Sequence, residues 1–342
     1  MAAAGRFGRT FLIAALLCAA LAACAQTRDK VAVGIGTAYY VPDDAVPYAA
    51  LYLPYARMAS LAYADPQFLR RGKVRPFCPD VGLLASPRGV DAAHPAEDNR
   101  RLAGWLVALN RNWECLSGGV GPLDCPKGVR CVEGLQYQVW RRKDCSEAVI
   151  AFRGTDRTQR GDWLSNLHWF VGRWFFDQYA QAQEAIRGII KGIDAAGCRP
   201  RRIIATGHSL GGGLAQHVAY ADSRIDYVYA FDPSPVTAFF GVPLTTRSAA
   251  VGKLGIDRIY EHGEVLSLPR YLVSGVFPTS QCQPRVRIVR FATEHAPSLI
   301  ERHGIAKLTE GLESIVDGAK VRHLPVAYDA AKTCNFARPG EG

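Results

Sequence analysis

The chain has 342 residues, 49% of them hydrophobic and 21% charged, with a formal net charge of +10. This composition excludes a disordered or fibrous chain and allows one large core, or at most two smaller ones. The basic residues are spread along the chain rather than gathered in a block; that reads as a solvated surface, with attraction to anionic lipid as the alternative and nothing to suggest nucleic acid.

Arg6 and Arg9 precede an apolar run over residues 11–21, which gives way to small residues and a cysteine. A basic start, a short apolar middle and a small-residue cleavage site are the parts of an export signal, so residues 1–25 are set aside as a leader. The apolar run is too short for a permanent membrane span. Leu21-Ala22-Ala23-Cys24 resembles the bacterial lipobox, in which the cysteine is lipidated and becomes the first mature residue. An ordinary secretory cut after Ala25 is the alternative. By the lipobox resemblance, Ala25 points to the outer membrane, with Cys24 as a lipid anchor; either way the protein is expected to be exported, as an outer-membrane lipoprotein, in the periplasm or secreted.

Without the leader the net charge falls by its two arginines, from +10 to +8, and eight of the ten cysteines remain. These are Cys78, Cys115, Cys125, Cys131, Cys145, Cys198, Cys282 and Cys334. An even number in an exported chain reads as disulfides, up to four, among roughly a hundred possible pairings. Some are expected to pin the loop between Cys115 and Cys145. No Cys-x-x-Cys occurs and the histidines lack ligand spacing, so no metal is implied.

In chain order, residues 47–65 carry Tyr48, Leu51, Tyr55, Met58, Ala59 and Ala62 at helical spacing, ending before Pro66. Residues 66–134 are rich in Pro, Gly and Cys, with one helix at 96–112. Strands are expected at 135–141 and 148–152, joined by a turn around Asp144-Cys145-Ser146. Residues 177–195 place Tyr179, Ala182, Ile186, Ile190 and Ile193 on one helical face. A strand at 202–206, a helix at 211–221 and strands at 227–231, 258–260 and 285–291 follow. Residues 299–316 read as helix, with Ile305, Leu308, Leu312 and Ile315 aligned. Short apolar strands alternating with helices argue for a mostly parallel central sheet with helices on both faces. No linker divides residues 26–342, which are expected to form one domain with a Cys-rich insertion near 66–134.

The chemistry is carried by Thr206-Gly207-His208-Ser209-Leu210-Gly211-Gly212-Gly213, which follows the apolar Arg202-Ile203-Ile204-Ala205. Gly-x-Ser-x-Gly between a strand and a small-residue helix is a nucleophile elbow. The sharp turn presents Ser209, side chains at 207 and 211 would collide with backbone, and the helix N-terminus faces a developing oxyanion.

A second segment, Phe152-Arg153-Gly154-Thr155 followed by Asp162-Trp163, joins the elbow in resembling the fungal-type (class 3) lipase family of α/β-hydrolases. The resemblance covers roughly residues 47–65 and 135–315. It implies an α/β-hydrolase fold, and backbone N–H groups of Thr155 and Leu210 as the oxyanion hole. The base and its acid must follow the elbow in the order acid, then histidine. His303, which opens Gly304-Ile305-Ala306-Lys307-Leu308, resembles the family's terminal histidine, with His295 as its rival. Glu264, in Glu261-His262-Gly263-Glu264-Val265-Leu266-Ser267-Leu268-Pro269, stands where the family has an aspartate. Asp232, before Pro233, is the alternative acid. Residues 168–176 read His-Trp-Phe-Val-Gly-Arg-Trp-Phe-Phe, suited either to a lid or acyl groove or to core packing.

The implied function is hydrolysis of carboxylic esters of lipids through an acyl-enzyme, by a lipase, esterase or phospholipase without metal or cofactor. An acyltransferase or thioesterase on the same triad is one alternative. An inert surface lipoprotein on the same fold is the other.

Overall fold

The computed structural model describes residues 45–64, 68–71, 75–85, 96–119, 135–154, 176–267, 270, 283–293, 299–318 and 326–329. The expected leader, Cys24, Thr155, residues 168–175 and His295 lie outside them.

Among the described residues, eight strands form one sheet in chain order: β1 Trp113–Gly119, β2 Tyr137–Arg142, β3 Glu147–Phe152, β4 Arg202–His208, β5 Ile225–Phe231, β6 Gly255–Glu261, β7 Arg285–Phe291 and β8 Val326–Asp329. From β3 to β7 all pairings are parallel; β1 and β2 close one edge and β8 the other in antiparallel fashion. Strands β3 and β4 are buried almost throughout, as a sheet covered on both faces requires.

The sequential order decides where the helices go. Right-handed crossovers that step always the same way along a sheet deliver every connecting helix to one face. Helices α3 Phe176–Ala195, α4 Leu210–Ala221 and α5 Leu244–Val251 are those connections. Accordingly Tyr179, Ile186 and Ile190 of α3 and Leu214 and Val218 of α4 share one core with Ile150, Ala205 and Val228 of the sheet. The other face needs cover from outside the crossovers. Helices α1 Val46–Leu61, α2 Ala96–Leu109 and α6 Ile305–Val316 supply it, packing on Val149, Ile204, Tyr229 and Phe291. Neighbours in a strand alternate between the two cores, as the period of two demands.

Helix α1 is buried on nearly every side and continues through Pro54, an internal proline that lacks a donor. Contacts with the sheet, α2 and α6 outweigh a cost of about 3 kcal/mol. It ends at Leu61, short of the expected residue 65, because β2 captures its end. Gln138 donates to Leu61 O at 2.9 Å, and Gln136 donates to Ala62 O and Ala64 O at 3.0 and 3.2 Å. These amides satisfy carbonyls that a helix end leaves bare. Helix α6 is tied to α1 through Ser60 and Thr309, 3.0 Å apart, and through Arg57 and Glu313 at 2.6 Å.

Two expectations need correction. The stretch 66–134 holds more than one helix: β1 lies within it and pairs with β2, so its apolar Trp113 and Cys115 belong to the main core. Residues 299–316 are not one helix but Leu299–Arg302 and α6, parted at His303 and Gly304, where Gly304 is extended at φ −80 and ψ 116. Of the cysteines around the loop expected to be pinned, Cys115 pairs with Cys78 and Cys145 with Cys198, at Cα separations of 5.8 and 6.4 Å. The first joins β1 to the segment before it. The second ties the β2–β3 turn to the connection between α3 and β4. Cys125, Cys131, Cys282 and Cys334 lie outside the described residues. Disulfides fit an exported protein, and no helix among the described residues is long and apolar enough to cross a membrane.

Candidate active site

At the end of β4 the chain turns into α4 through Ser209, whose φ of 56 and ψ of −123 are rare for a residue with a side chain. Such a conformation costs roughly 1–3 kcal/mol and persists only where neighbours hold it. Ser209 N–H donates to Phe231 O at 3.0 Å, while its carbonyl accepts from Ser234 N–H at 2.9 Å and Gly213 N–H at 3.2 Å. A Cβ on Gly207 would run into the carbonyl of Gly211, and one on Gly211 into Phe152 O, so β3, the elbow and α4 close only on glycine. Leu210 opens α4, so its N–H is among those with no intrahelical acceptor. The neighbouring end of β3 is fastened as well. Arg153 donates from its backbone to Gln136 O at 2.9 Å and from its side chain to Gln136 Oε1 at 2.6 Å. Thr155, the other expected oxyanion donor, falls just beyond this anchored end.

The break between residues 299–302 and α6 carries His303 to the elbow. Its Nε2 lies 3.0 Å from Ser209 Oγ, and its Nδ1 lies 2.7 Å from Glu264 Oε2. An ionised carboxylate only accepts, so Nδ1 carries the hydrogen and Nε2 presents its lone pair to the serine hydroxyl. His303 and Glu264 are almost wholly buried. Glu264 sits in the turn after β6, entered through Gly263 at φ 72. Its carboxylate accepts from Leu266 N–H at 2.8 Å and Ser267 O–H at 3.2 Å, and pairs with Arg270. Arg270 also donates to Pro233 O at 2.9 Å and stacks 4.1 Å from the Tyr260 ring, so the acid is held from several sides.

Asp232, the rival acid, is fully buried at φ 39, and its Oδ1 accepts from Glu261 N–H at 2.9 Å. With His208 and His303 it forms a group whose ligand-type atoms lie within 4.8 Å of one another. This group does not fit a metal, because both imidazoles are already spoken for. His303 faces Glu264 and Ser209; His208 faces Tyr63 O–H at 2.9 Å and His303 O at 2.7 Å. The geometry therefore brings together Ser209, His303 and Glu264 by hydrogen bonds, with Asp232 beside them. His262, another histidine after the elbow helix, donates its backbone N–H to Phe291 O at 2.7 Å.

Sequence reasoning did not single out Tyr63, His208 or Arg270. His208 stands inside the elbow motif, but nothing local tells what its ring meets. Arg270 and Tyr63 reach the site from other loops.

Residues 91–230, from before α2 to β5, match the family model described as the Tle-like phospholipase domain. No curated protein matches the chain. Among solved structures it is similar to the Lip2 lipase from Yarrowia lipolytica, at 16% identity over 76% of this chain and 84% of that one, with a TM-score of 0.44. A triacylglycerol lipase from Penicillium expansum gives 10% identity over 74% and 82%, with a TM-score of 0.43. The Rhizomucor miehei lipase propeptide complex gives 12% over 84% and 86%, with a TM-score of 0.39. At such values these structures say nothing of activity, and the fold rests on the sheet itself. The chain thus has the α/β-hydrolase fold, matches the Tle-like phospholipase domain over residues 91–230, and is similar to the fungal-type lipases in its motifs.

Proposed function

We propose that this protein is a serine hydrolase of lipid carboxylic esters, with Ser209 as nucleophile, His303 as base and Glu264 as the acid that orients it. One observation carries the reading. A continuous line of hydrogen bonds runs from Glu264 through His303 to a serine held at positive φ on the elbow. His303 Nε2 takes the hydroxyl proton as Ser209 Oγ attacks the ester carbonyl. The tetrahedral oxygen faces the N–H groups of Leu210 and Thr155, donors that in such sites contribute several kcal/mol. His303 returns its proton to the departing alkoxide, leaving the acyl-enzyme. Water, deprotonated by the same imidazole, then releases the fatty acid. The match over residues 91–230 favours a phospholipid among the possible esters. Asp232, bonded to Glu261 N–H, contributes negative charge near the imidazoles rather than orienting Nδ1. The chain is exported, with Cys24 as its lipid anchor, and residues 26–342 act as one domain.

The test is hydrolysis of short- and long-chain p-nitrophenyl esters and of phosphatidylcholine vesicles by the mature protein, beside Ser209→Ala. Release of fatty acid that falls by about 10⁴-fold or more in the variant supports the reading. Equal rates from both proteins, or none from either, would remove it.

A further inference from the structure

His208 is covalently next to the serine, and its side chain reaches the main chain of the base. Its Nε2 lies 2.7 Å from His303 O and its Nδ1 2.9 Å from the Tyr63 hydroxyl. A carbonyl only accepts, so Nε2 must carry the hydrogen; in the neutral ring Nδ1 then accepts from Tyr63 O–H. The carbonyl held in this way lies in the break before α6. The first bond of that helix runs from Leu308 N–H to Gly304 O, one residue further on, so the α6 ladder does not fix His303. Ser209 and His303 are therefore linked twice, side chain to side chain at 3.0 Å and through His208 to the main chain at 2.7 Å. The two imidazoles pack with centroids 4.7 Å apart. Tyr63 follows α1 directly, and the carbonyls of Ala62 and Ala64 on either side of it are held by Gln136.

We infer that His208 is a positioning residue: its Nε2–H fixes the backbone of His303 so that the imidazole meets Ser209 at proton-transfer distance, and Tyr63 selects the tautomer that permits it. The inference rests on the roles proposed for Ser209 and His303. A misplacement of about 1 Å in such a pair costs on the order of a hundredfold in rate.

The mature protein is compared with His208→Asn, His208→Gln and Tyr63→Phe. The Gln amide can place an N–H close to the position of Nε2; the shorter Asn amide reaches only as far as Nδ1. Two rates are read: p-nitrophenyl butyrate turnover across the range in which histidine titrates, and modification of Ser209 by a fluorophosphonate. The Asn variant should lose roughly tenfold to a hundredfold in kcat and in modification rate, with KM within about twofold and a displaced acid limb of the pH profile. The Gln variant should recover most of this, and Tyr63→Phe should lose less than the Asn variant. An Asn variant equal to wild type, or a Gln variant that falls as far as Asn, overturns the inference. Modification of wild-type Ser209 without ester turnover removes only the ester reading, and the modification rates then decide on His208. A wild-type serine that does not react removes the nucleophile and this inference together.

Discussion

Asp257 and Glu264 are two buried acids on neighbouring stretches of one strand and its turn, and each pairs with an arginine, Asp257 with the buried Arg287 and Glu264 with the half-buried Arg270. Their surroundings differ in how the chain of donors ends. Asp257 accepts from Tyr52 O–H at 2.9 Å, Tyr227 O–H at 2.8 Å and Arg287 Nε–H at 3.0 Å, all inside the core between the sheet and α1. The Arg287 guanidinium lies 5.0 Å from the Tyr48 ring and 5.6 Å from that of Tyr52. Burial, the largest single influence, would lower the pKa of Arg287, but the Asp257 carboxylate with its hydrogen bond and the Tyr52 and Tyr227 hydroxyls together outweigh it and hold the guanidinium charged well beyond its usual range. Burial likewise pushes the Tyr52 hydroxyl far up, so this network keeps its protons. Glu264 is gripped as firmly, but one of its donors is the ring of His303, whose other nitrogen faces the half-buried hydroxyl of Ser209. The ingredients are alike. One network terminates in protein, and the other terminates in a group whose proton has somewhere to go.

Glu264→Gln tests this contrast most severely. An amide in place of the carboxylate can no longer stabilise the imidazolium, so kcat should fall by roughly 10²–10⁴-fold while the fold persists. Ester turnover per folded molecule, with folding followed by circular dichroism, measures it. Asp257→Ala should do the reverse. It leaves Arg287 charged and uncompensated in the core, which costs about 3–5 kcal/mol in urea unfolding, and kcat per folded molecule should stay near wild type. A kcat loss for Asp257→Ala as large as that for Glu264→Gln would break the comparison.

A smaller effect is expected at the end of the sheet away from the elbow. Replacing Cys145 and Cys198 with serine frees the β2–β3 turn from the connection before β4. The bond closes a loop of 53 residues, and its loss should cost roughly 2–4 kcal/mol. Equilibrium unfolding of the double variant gives the number. Activity at low temperature should not change, because none of the residues bonded to Ser209, His303 or Glu264 lies on that turn.

What could be read in advance follows from how local each signal is. The elbow is legible because strand, Gly-x-Ser-x-Gly and helix are contiguous, and the collisions at Gly207 and Gly211 are local consequences of one sharp turn. The buried strands β3 to β5 announce themselves as apolar runs. By contrast β1 is hidden in a Cys- and Gly-rich stretch, and its place depends on pairing with β2. The break at His303 is masked because the apolar period of Ile305, Leu308, Leu312 and Ile315 extends smoothly back to Leu299. Tyr63, 145 residues from His208, and Arg287, 30 from Asp257, leave no local trace of their partners. A charged residue in a strand reads as solvent-facing until a second element supplies its counter-ion. The disulfide pairs were beyond reach for the same reason.

Glu147 supplies the last and smallest test, as a buried acid of a third kind. It opens β3 and accepts from Tyr55 O–H at 3.1 Å. Burial pushes its carboxyl above the ordinary value of 4.5, and the Tyr55 hydrogen bond with the more distant Arg142 and Arg202 offsets this only in part. The sign follows directly. A folded-state pKa above the unfolded one means that the folded protein holds this proton more tightly. The resulting stabilisation is complete below the unfolded carboxylate value and is lost as pH rises through the raised folded value. Glu147→Gln keeps an acceptor for Tyr55 and removes the ionisation. Its unfolding midpoint should therefore exceed that of wild type at neutral pH, and the gap should close on acidification toward the usual carboxylate range. Urea midpoints for both proteins over that interval decide the matter. A gap that widens in acid would mean that Glu147 is held ionised, its burial outweighed by the Tyr55 hydroxyl and the arginines around it.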